Sequence, residues 1–298
     1  MQLAVCGPRA SSRLRTWHDL AVTAISDRYD RNAEDYGHYW APVLDAAARR
    51  LLDRVDPFVR GLLRAPLILD VGTGHGVLAA EARTRWPQAR VVGSDASSGM
   101  LEVARRNHGG GHAPEDDLRW LHAPADRLDL PDRSVDLIVS SFVYQLVPDR
   151  RAAFDEAYRV LRGGGRIALV TWLDRGPDFE PAIEFDEAIY DLEIEEPDEE
   201  EEERRAGDFR SPRSAARELR QAGFKRVSAE AEMLEYAWTI DSYLEFKERY
   251  EERALFAWLD AERAARLLAR ARERLEGLPP EALTWRAELV SAVGARPG

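Results

Sequence analysis

Between residues 66 and 172, short runs of aliphatic and β-branched residues alternate with longer stretches in which apolar positions recur at helical spacing. Residues 66–71 predict a buried strand, which leads through Gly72-Thr73-Gly74-His75-Gly76 into an alanine-rich helix over 77–85. The unit repeats as a strand over 90–95 and a helix running to Arg106, N-capped by Ser97 or Ser98. Further strands are predicted over 118–123, 135–141 and 166–172. A helix over 149–161, ended by Gly163-Gly164-Gly165, separates the last two. Such alternation predicts a parallel sheet covered by helices on both faces.

The flanks differ. After residue 210 the pattern predicts a helix over 211–222, with Pro212 in its first turn and Gly223 just past its end. A sixth strand over 225–231 and a closing strand over 287–295 follow, separated by a charged and apolar region over 241–275 that reads as two helices. A helical cap thus interrupts the final hairpin of the sheet. Residues 1–64 read as an N-terminal helical cap with a flexible start, and within it Leu44, Leu51, Leu52 and Val55 share one helix face. The expected organisation is a cap over 1–64, a ligand-binding core over 65–174, a flexible acidic insertion over 175–210, and a C-terminal part of the core over 211–298 carrying a cap over 241–278. The insertion is inferred from the near-continuous Asp and Glu between Glu193 and Glu203, a block that repels itself and buries no apolar surface.

Composition narrows the function. The 298 residues carry 54 acidic against 42 basic side chains, a formal charge of −12 that argues against a phosphate backbone as partner. The longest apolar runs are strand-length, far below the roughly 18 residues of a membrane span. Arg9, Arg13 and Arg15 have no apolar stretch between them, so a secretory signal does not fit. With a single Cys6 no internal disulfide forms, and the cytoplasm is the expected compartment. His18, His38, His75, His108, His112 and His122 lack Cys or carboxylate partners at ligand spacing, so no metal site is expected.

The chemistry concentrates in Ile68-Leu69-Asp70-Val71-Gly72-Thr73-Gly74-His75-Gly76. Glycines permit a sharp turn and close approach of a ligand, and the next helix offers free amides to an anion. A dinucleotide fingerprint requires its third glycine at position 77, which is Val77, so this spacing disfavours NAD. Asp70 repels a pyrophosphate but suits a ligand bearing ammonium and sulfonium charges. Asp95, 25 positions further on, ends the second strand. There it either accepts the two hydroxyls of a ribose or caps the helix after Ser97.

From about Tyr29 to Leu173 these features resemble the class I S-adenosylmethionine-dependent methyltransferases, in particular the quinone and small-molecule branch. The resemblance implies a Rossmann-like, doubly wound α/β fold: a mostly parallel seven-stranded sheet with an antiparallel last strand and helical caps at both ends. It implies S-adenosylmethionine as cofactor, held by Asp70, Gly72, Thr73, Gly74 and Gly76 of the first motif, by Asp95 and Ala96 of the second, and by Met100 against the adenine. Leu161-Arg162-Gly163-Gly164-Gly165 follows in family order. Where the family has Gly-Asp-Ala, this chain has Ala123-Pro124-Ala125-Asp126, so the adenine contact shifts to the Ala125 amide and Asp126 or is lost. Ser140 and Phe142 are implied on the cofactor side, Tyr36 over the methionine end, and Trp40, Tyr144 and Gln145 toward the acceptor.

No catalytic residue is assigned. If the acceptor must lose a proton, His38, His75 and Tyr144 are the candidate bases. Tyr36, Trp40, Trp238, Tyr243, Phe246, Phe256 and Trp258 either pack the caps or form an aromatic lid, and a lid implies a small apolar or aromatic acceptor. Alkyl transfer from a decarboxylated cofactor analogue and non-catalytic cofactor binding remain open, because a fold does not fix chemistry. The acceptor and the oligomeric state are not encoded in any readable pattern.

Overall fold

The computed structural model describes residues 25–113, 116–174, 176–194 and 205–298. Seven strands form one sheet: β1 (Leu67–Val71), β2 (Arg90–Asp95), β3 (Leu118–His122), β4 (Val135–Ser141), β5 (Leu161–Trp172), β6 (Lys225–Ala237) and β7 (Thr284–Ala295). Their order is β3-β2-β1-β4-β5-β7-β6. The first five run parallel, and β7 lies antiparallel between β5 and β6, as the resemblance implied. Strand order reverses between β1 and β4, which opens a crevice at the carboxyl edge of the sheet.

The two-residue period of the strands sorts their side chains between two cores. Ile68 of β1 and Leu137 and Val139 of β4 join Leu44, Leu51, Leu52 and Val55 of helix α2 (Ala41–Arg60). Leu69, Val71 and Ile138 face the other way, onto Phe154 of α5 (Arg150–Val160) and Leu219 of α7 (Pro212–Gln221). Burial on both faces is why these strands read as continuous apolar runs. Helices α3 (Val77–Arg85) and α4 (Ser98–His108) follow β1 and β2, and Ser97 caps α4 by accepting the Met100 amide at 3.0 Å. At the N-terminal end, α1 (residues 25–35) runs through a π-helical turn, Tyr36–Trp40, into α2.

Between β5 and β7 the chain builds a helical cap. It contains α6 (Glu180–Asp191) and, between β6 and β7, α8 (Ile240–Phe246), α9 (Arg253–Trp258) and α10 (Ala261–Glu276). The expectation of a flexible insertion over 175–210 is thereby corrected for α6. Phe185, Ala188 and Ile189 are buried against Leu267, Ala271 and Leu275 of α10, and its acids pair with arginines, Glu184 with Arg274 at 2.7 Å and Asp191 with Arg270 at 2.7 Å. The acidic run Asp198–Glu203, Cys6 and the start that was expected to be flexible lie outside the described residues. The region over 241–275 holds three helices and a π-helical turn, Lys247–Glu251, rather than two helices. The triple glycine does not follow α5 as a cap; it lies inside β5, which begins at Leu161 opposite Val135 and carries a register shift there. Among the described residues no helix is long and apolar enough to cross a membrane.

At the amino edge of the sheet, Asp136 is buried and accepts the Leu67 amide at 2.9 Å, the Arg64 guanidinium at 2.8 Å and Arg162 at 3.2 Å. Asp136→Ala leaves that amide without a partner and should lower the unfolding free energy by about 1–3 kcal/mol. Urea denaturation reads the loss, and ligand affinity at the opposite edge should stay unchanged.

Candidate functional site

The site begins where β1 ends. Gly72, Gly74 and Gly76 have φ of 67°, 54° and 88°, in the left-handed region that side chains disfavour. At Gly72 an added Cβ would come within 2.2 Å of the Val143 side chain, so the loop can only pass there without one. The Thr73 amide donates to the Ser94 carbonyl at 2.8 Å, and its hydroxyl donates to Asp70 Oδ2 at 2.6 Å. Asp95, at the end of β2, receives the Gly74 amide on Oδ2 at 2.8 Å and the Ser97 amide on Oδ1 at 2.9 Å. One carboxylate therefore joins the glycine loop to the first turn of α4.

A pocket of about 770 Å³, including its open mouth, lies above this carboxylate. Of the residues expected to hold cofactor, Gly72, Gly74, Asp95, Ala96, Met100, Ala125, Asp126, Phe142 and Tyr36 face it. Tyr36 overlies the loop, its Cε1 only 4.0 Å from where a Cβ on Gly74 would stand. Asp70, Thr73, Gly76 and Ser140 do not line it. Asp70, Thr73 and Ser140 are buried beneath, the last donating to the Val71 carbonyl at 2.8 Å. Gly76 gives way to Trp120, which would sit 2.7 Å from its Cβ. Thr73 instead faces an adjoining pocket together with Tyr36, Gly72, Gly74 and His75. Sequence reasoning missed Ile25 and Ser26 of α1, along with Ser97, Ser141, Val143 and Leu146 as pocket residues. The last four neighbour expected residues, but α1 reaches the pocket only through tertiary packing.

A second cavity of about 860 Å³ lies beside the first, and Tyr29, Tyr36, Phe142 and Leu146 face both. Its remaining wall is aromatic, with Trp40, Trp172 and Trp285 at mutual ring distances of 5.6–6.3 Å, and Arg28, Arg205 and Asp208 add charge. Trp40, expected toward the acceptor, lines this cavity. Trp172 and Trp285 were missed, although Trp172 ends β5 on the same sheet edge as Phe142. Asp208 arrives because residues 205–211 are stitched to that edge: Phe209 donates its amide to the Trp172 carbonyl at 3.3 Å, and Arg150 grips the Gly207 carbonyl at 2.6 Å.

One acceptor-side expectation is corrected. Tyr144 is fully buried, stacked on Phe154 at 4.5 Å, and faces neither cavity. Phe142 has φ of 58°, which breaks the strand alternation and turns Tyr144 into the core under α5. Gln145 reaches the second cavity, but both ends of its amide are engaged, with the Phe142 carbonyl at 2.7 Å and with the Thr171 hydroxyl. It braces the Phe142 turn. Of the aromatic lid, Trp238, Tyr243 and Phe246 are buried inside the cap, Phe256 packs against that same core, and Trp258 is exposed.

Burial dominates the electrostatics. Desolvation raises the Asp70 carboxyl to about 7, against the pull of the Thr73 hydroxyl, while Oδ1 has no hydrogen-bond partner among the described residues. Desolvation also raises Asp95 against the pull of the Ser97 and Gly74 amides. It raises Asp208 against nearby Arg205. His75 is held down to about 4 by burial and by His108, so its ring is neutral near pH 7. His38 is exposed.

A glycine loop tied to an acid at the switch point of a seven-stranded sheet defines a class of protein, and residues 69–169 carry a methyltransferase domain of the class I, S-adenosylmethionine-dependent kind. Residues 69–169 match the family model described as a methyltransferase domain. The chain is 40% identical over 154 residues to trans-aconitate 2-methyltransferase of Azoarcus sp. strain BH72, covering 52% of this chain and 50% of that protein. It is 38% identical over 103 residues to demethylmenaquinone methyltransferase of Deinococcus radiodurans, covering 35% and 42%. It therefore spans half or less of the length of these relatives. Among solved structures, Haemonchus contortus phosphoethanolamine N-methyltransferase 2, in complex with phosphomonomethylethanolamine and S-adenosylhomocysteine, superposes with a TM-score of 0.55 at 18% identity. That match covers 95% of this chain and 60% of the other and is a likeness of fold.

The Asp70 carboxyl ionises at 3.8 when unfolded but holds its proton to about 7 when folded. Between those values the folded state binds more protons, so stability should fall as pH rises from about 4 to about 7. Asp70→Asn should flatten this part of the pH–stability curve, as measured by thermal melts of the ligand-free protein. An unaltered slope in the variant would place the titration elsewhere.

Proposed function

We propose that this chain is a cytoplasmic S-adenosylmethionine-dependent methyltransferase whose acceptor is a small, largely apolar or aromatic molecule. The observation that carries the reading is the shared wall. Tyr29, Tyr36, Phe142 and Leu146 stand between a pocket built on the glycine loop and an aromatic cavity, which is the arrangement that transfer from one bound molecule to another requires.

The residues present fit the cofactor. Each Asp95 oxygen accepts one backbone amide and keeps a further lone pair for a ribose hydroxyl. Gly74 leaves the loop open beneath Tyr36, whose ring is suited to a sulfonium. Bound there, the cofactor supplies a methyl group on an already activated leaving group. The chain's own task is then alignment and exclusion of water, a source of roughly 7–11 kcal/mol in favourable systems. Trp40, Trp172 and Trp285 give the acceptor side an apolar wall. Among the described residues, an acceptor that loses a proton meets one carboxylate in that cavity, Asp208, whereas Tyr144 is remote and His38 exposed.

The relatives support the small-molecule part of the reading, since the two described above are named for trans-aconitate, a tricarboxylate, and demethylmenaquinone, an apolar aromatic compound. The formal charge of −12 disfavours a polynucleotide acceptor.

Calorimetry with S-adenosylhomocysteine and a screen of small acceptors with methyl-labelled cofactor test the reading together. The wild type should bind the product and release it in the screen only when an acceptor is present. Asp95→Ala removes a charged acceptor of two ribose hydrogen bonds and should weaken binding by about 1.5–3 kcal/mol, roughly 10- to 150-fold. Gly74→Val forces a β-branched residue to φ 54° and should weaken binding likewise. Unchanged affinity in Asp95→Ala would remove the ribose assignment, and binding without turnover on any acceptor would favour a non-catalytic binder.

A further inference from the structure

Helix α1 covers the cofactor pocket with Ile25, Ser26 and Tyr29, and the adjoining part of the same face rests on α4. Ala33 packs against Met100 and Val103, and Glu34 pairs with Arg106. The tightest contact is polar. Asp30 Oδ1 accepts the Ser97 hydroxyl at 2.5 Å and the Gly99 amide at 2.7 Å, capping the first turn of α4 from outside its own segment. Gly99 permits this approach, because a Cβ there would stand 3.1 Å from the Asp30 Cα.

Ser97 is held from two sides. Its hydroxyl donates to Asp30, while its amide donates to Asp95 at 2.9 Å, and Asp95 in turn receives the Gly74 amide. A continuous line of hydrogen bonds thus runs from the lid helix through Ser97 and Asp95 to the glycine loop. Two carboxylates converge on one serine, an arrangement that their repulsion opposes and that the positive end of α4 favours.

Building on the reading that the pocket takes S-adenosylmethionine, we propose that Asp30 is a positioning residue that latches α1 over the pocket and, through Ser97, orients Asp95, so that release of the nucleoside requires the Asp30 contacts to open. Asp30 touches no ligand in this scheme. Its effect falls on how long the bound nucleoside stays and on the geometry of the acid that binds it. Neither outcome follows from a capping residue that only stabilises α4.

The test is surface plasmon resonance with S-adenosylhomocysteine over immobilised full-length protein, with hydrogen exchange over residues 25–35 on the same variants. Asp30→Ala should speed dissociation at least tenfold, weaken the Kd by a comparable factor and accelerate exchange in α1. Asp30→Asn keeps an acceptor oxygen in the same place and should stay within about threefold of wild type. If Asp30→Ala does not fold, Gly99→Ala carries the test, since it pushes α1 away with Asp30 intact and should also speed dissociation. A wild type that binds the product, with dissociation from Asp30→Ala or Gly99→Ala within twofold of it, would overturn the latch alone. So would an Asp30→Asn as impaired as Asp30→Ala. A wild type that does not bind S-adenosylhomocysteine would overturn the proposed function and the latch with it.

Discussion

The site depends on one carboxylate accepting two amides. Asp95 ties Gly74 to Ser97, and by doing so holds the glycine loop against the end of β2 and sets the entry angle of α4. Every ligand-facing element on this side of the crevice is referred to it. The interaction is charge-assisted and sits in a partly desolvated wall, where such bonds are stronger than in water and leaving them unmade is correspondingly unfavourable. That is also why the position is suited to a ribose: an acid already ordered by the backbone loses little freedom when it accepts two more donors.

The second constraint is steric. Gly72 must lack a side chain because Val143 occupies the space, and Phe142 adopts a left-handed φ that a bulky residue otherwise avoids. Strain of this kind persists only where its surroundings over-determine it. Here the Phe142 amide is fixed to the Val170 carbonyl at 2.8 Å, its carbonyl to Gln145, and its ring to Trp172 at 4.5 Å. The result is a rigid partition between the two cavities at the carboxyl edge of the sheet.

Much of this was legible in the sequence, and the exceptions have physical causes. The β-branched runs located β1, β2 and β4 because both faces of those strands are buried, and the glycine spacing located the loop. Helix α6 was hidden because its apolar positions Phe185, Ala188 and Ile189 are set among acids that look self-repelling until the arginines of α10 are brought beside them. Tyr144 stands at the end of β4, where the resemblance points to the acceptor, but the left-handed turn at Phe142 sends its ring into the core. Trp285 and Asp208 reach the second cavity from distant segments through β5–β7 pairing and the bridge between Leu173 and Phe209, and a single sequence carries no signal for either. Asp70 and Thr73 belong to the glycine motif and Ser140 to the end of β4, and all three are buried under the loop.

The partition makes the central claim directly measurable. A crystal structure with a cofactor analogue in which an amino group replaces the transferable methyl group would locate that group in space. The account predicts that it lies at the wall formed by Tyr36, Phe142 and Leu146 and points toward Trp40, Trp172 and Trp285, with the ribose hydroxyls on Asp95. An amino group directed at His75 and the glycine loop, or out to solvent past α1, would contradict it.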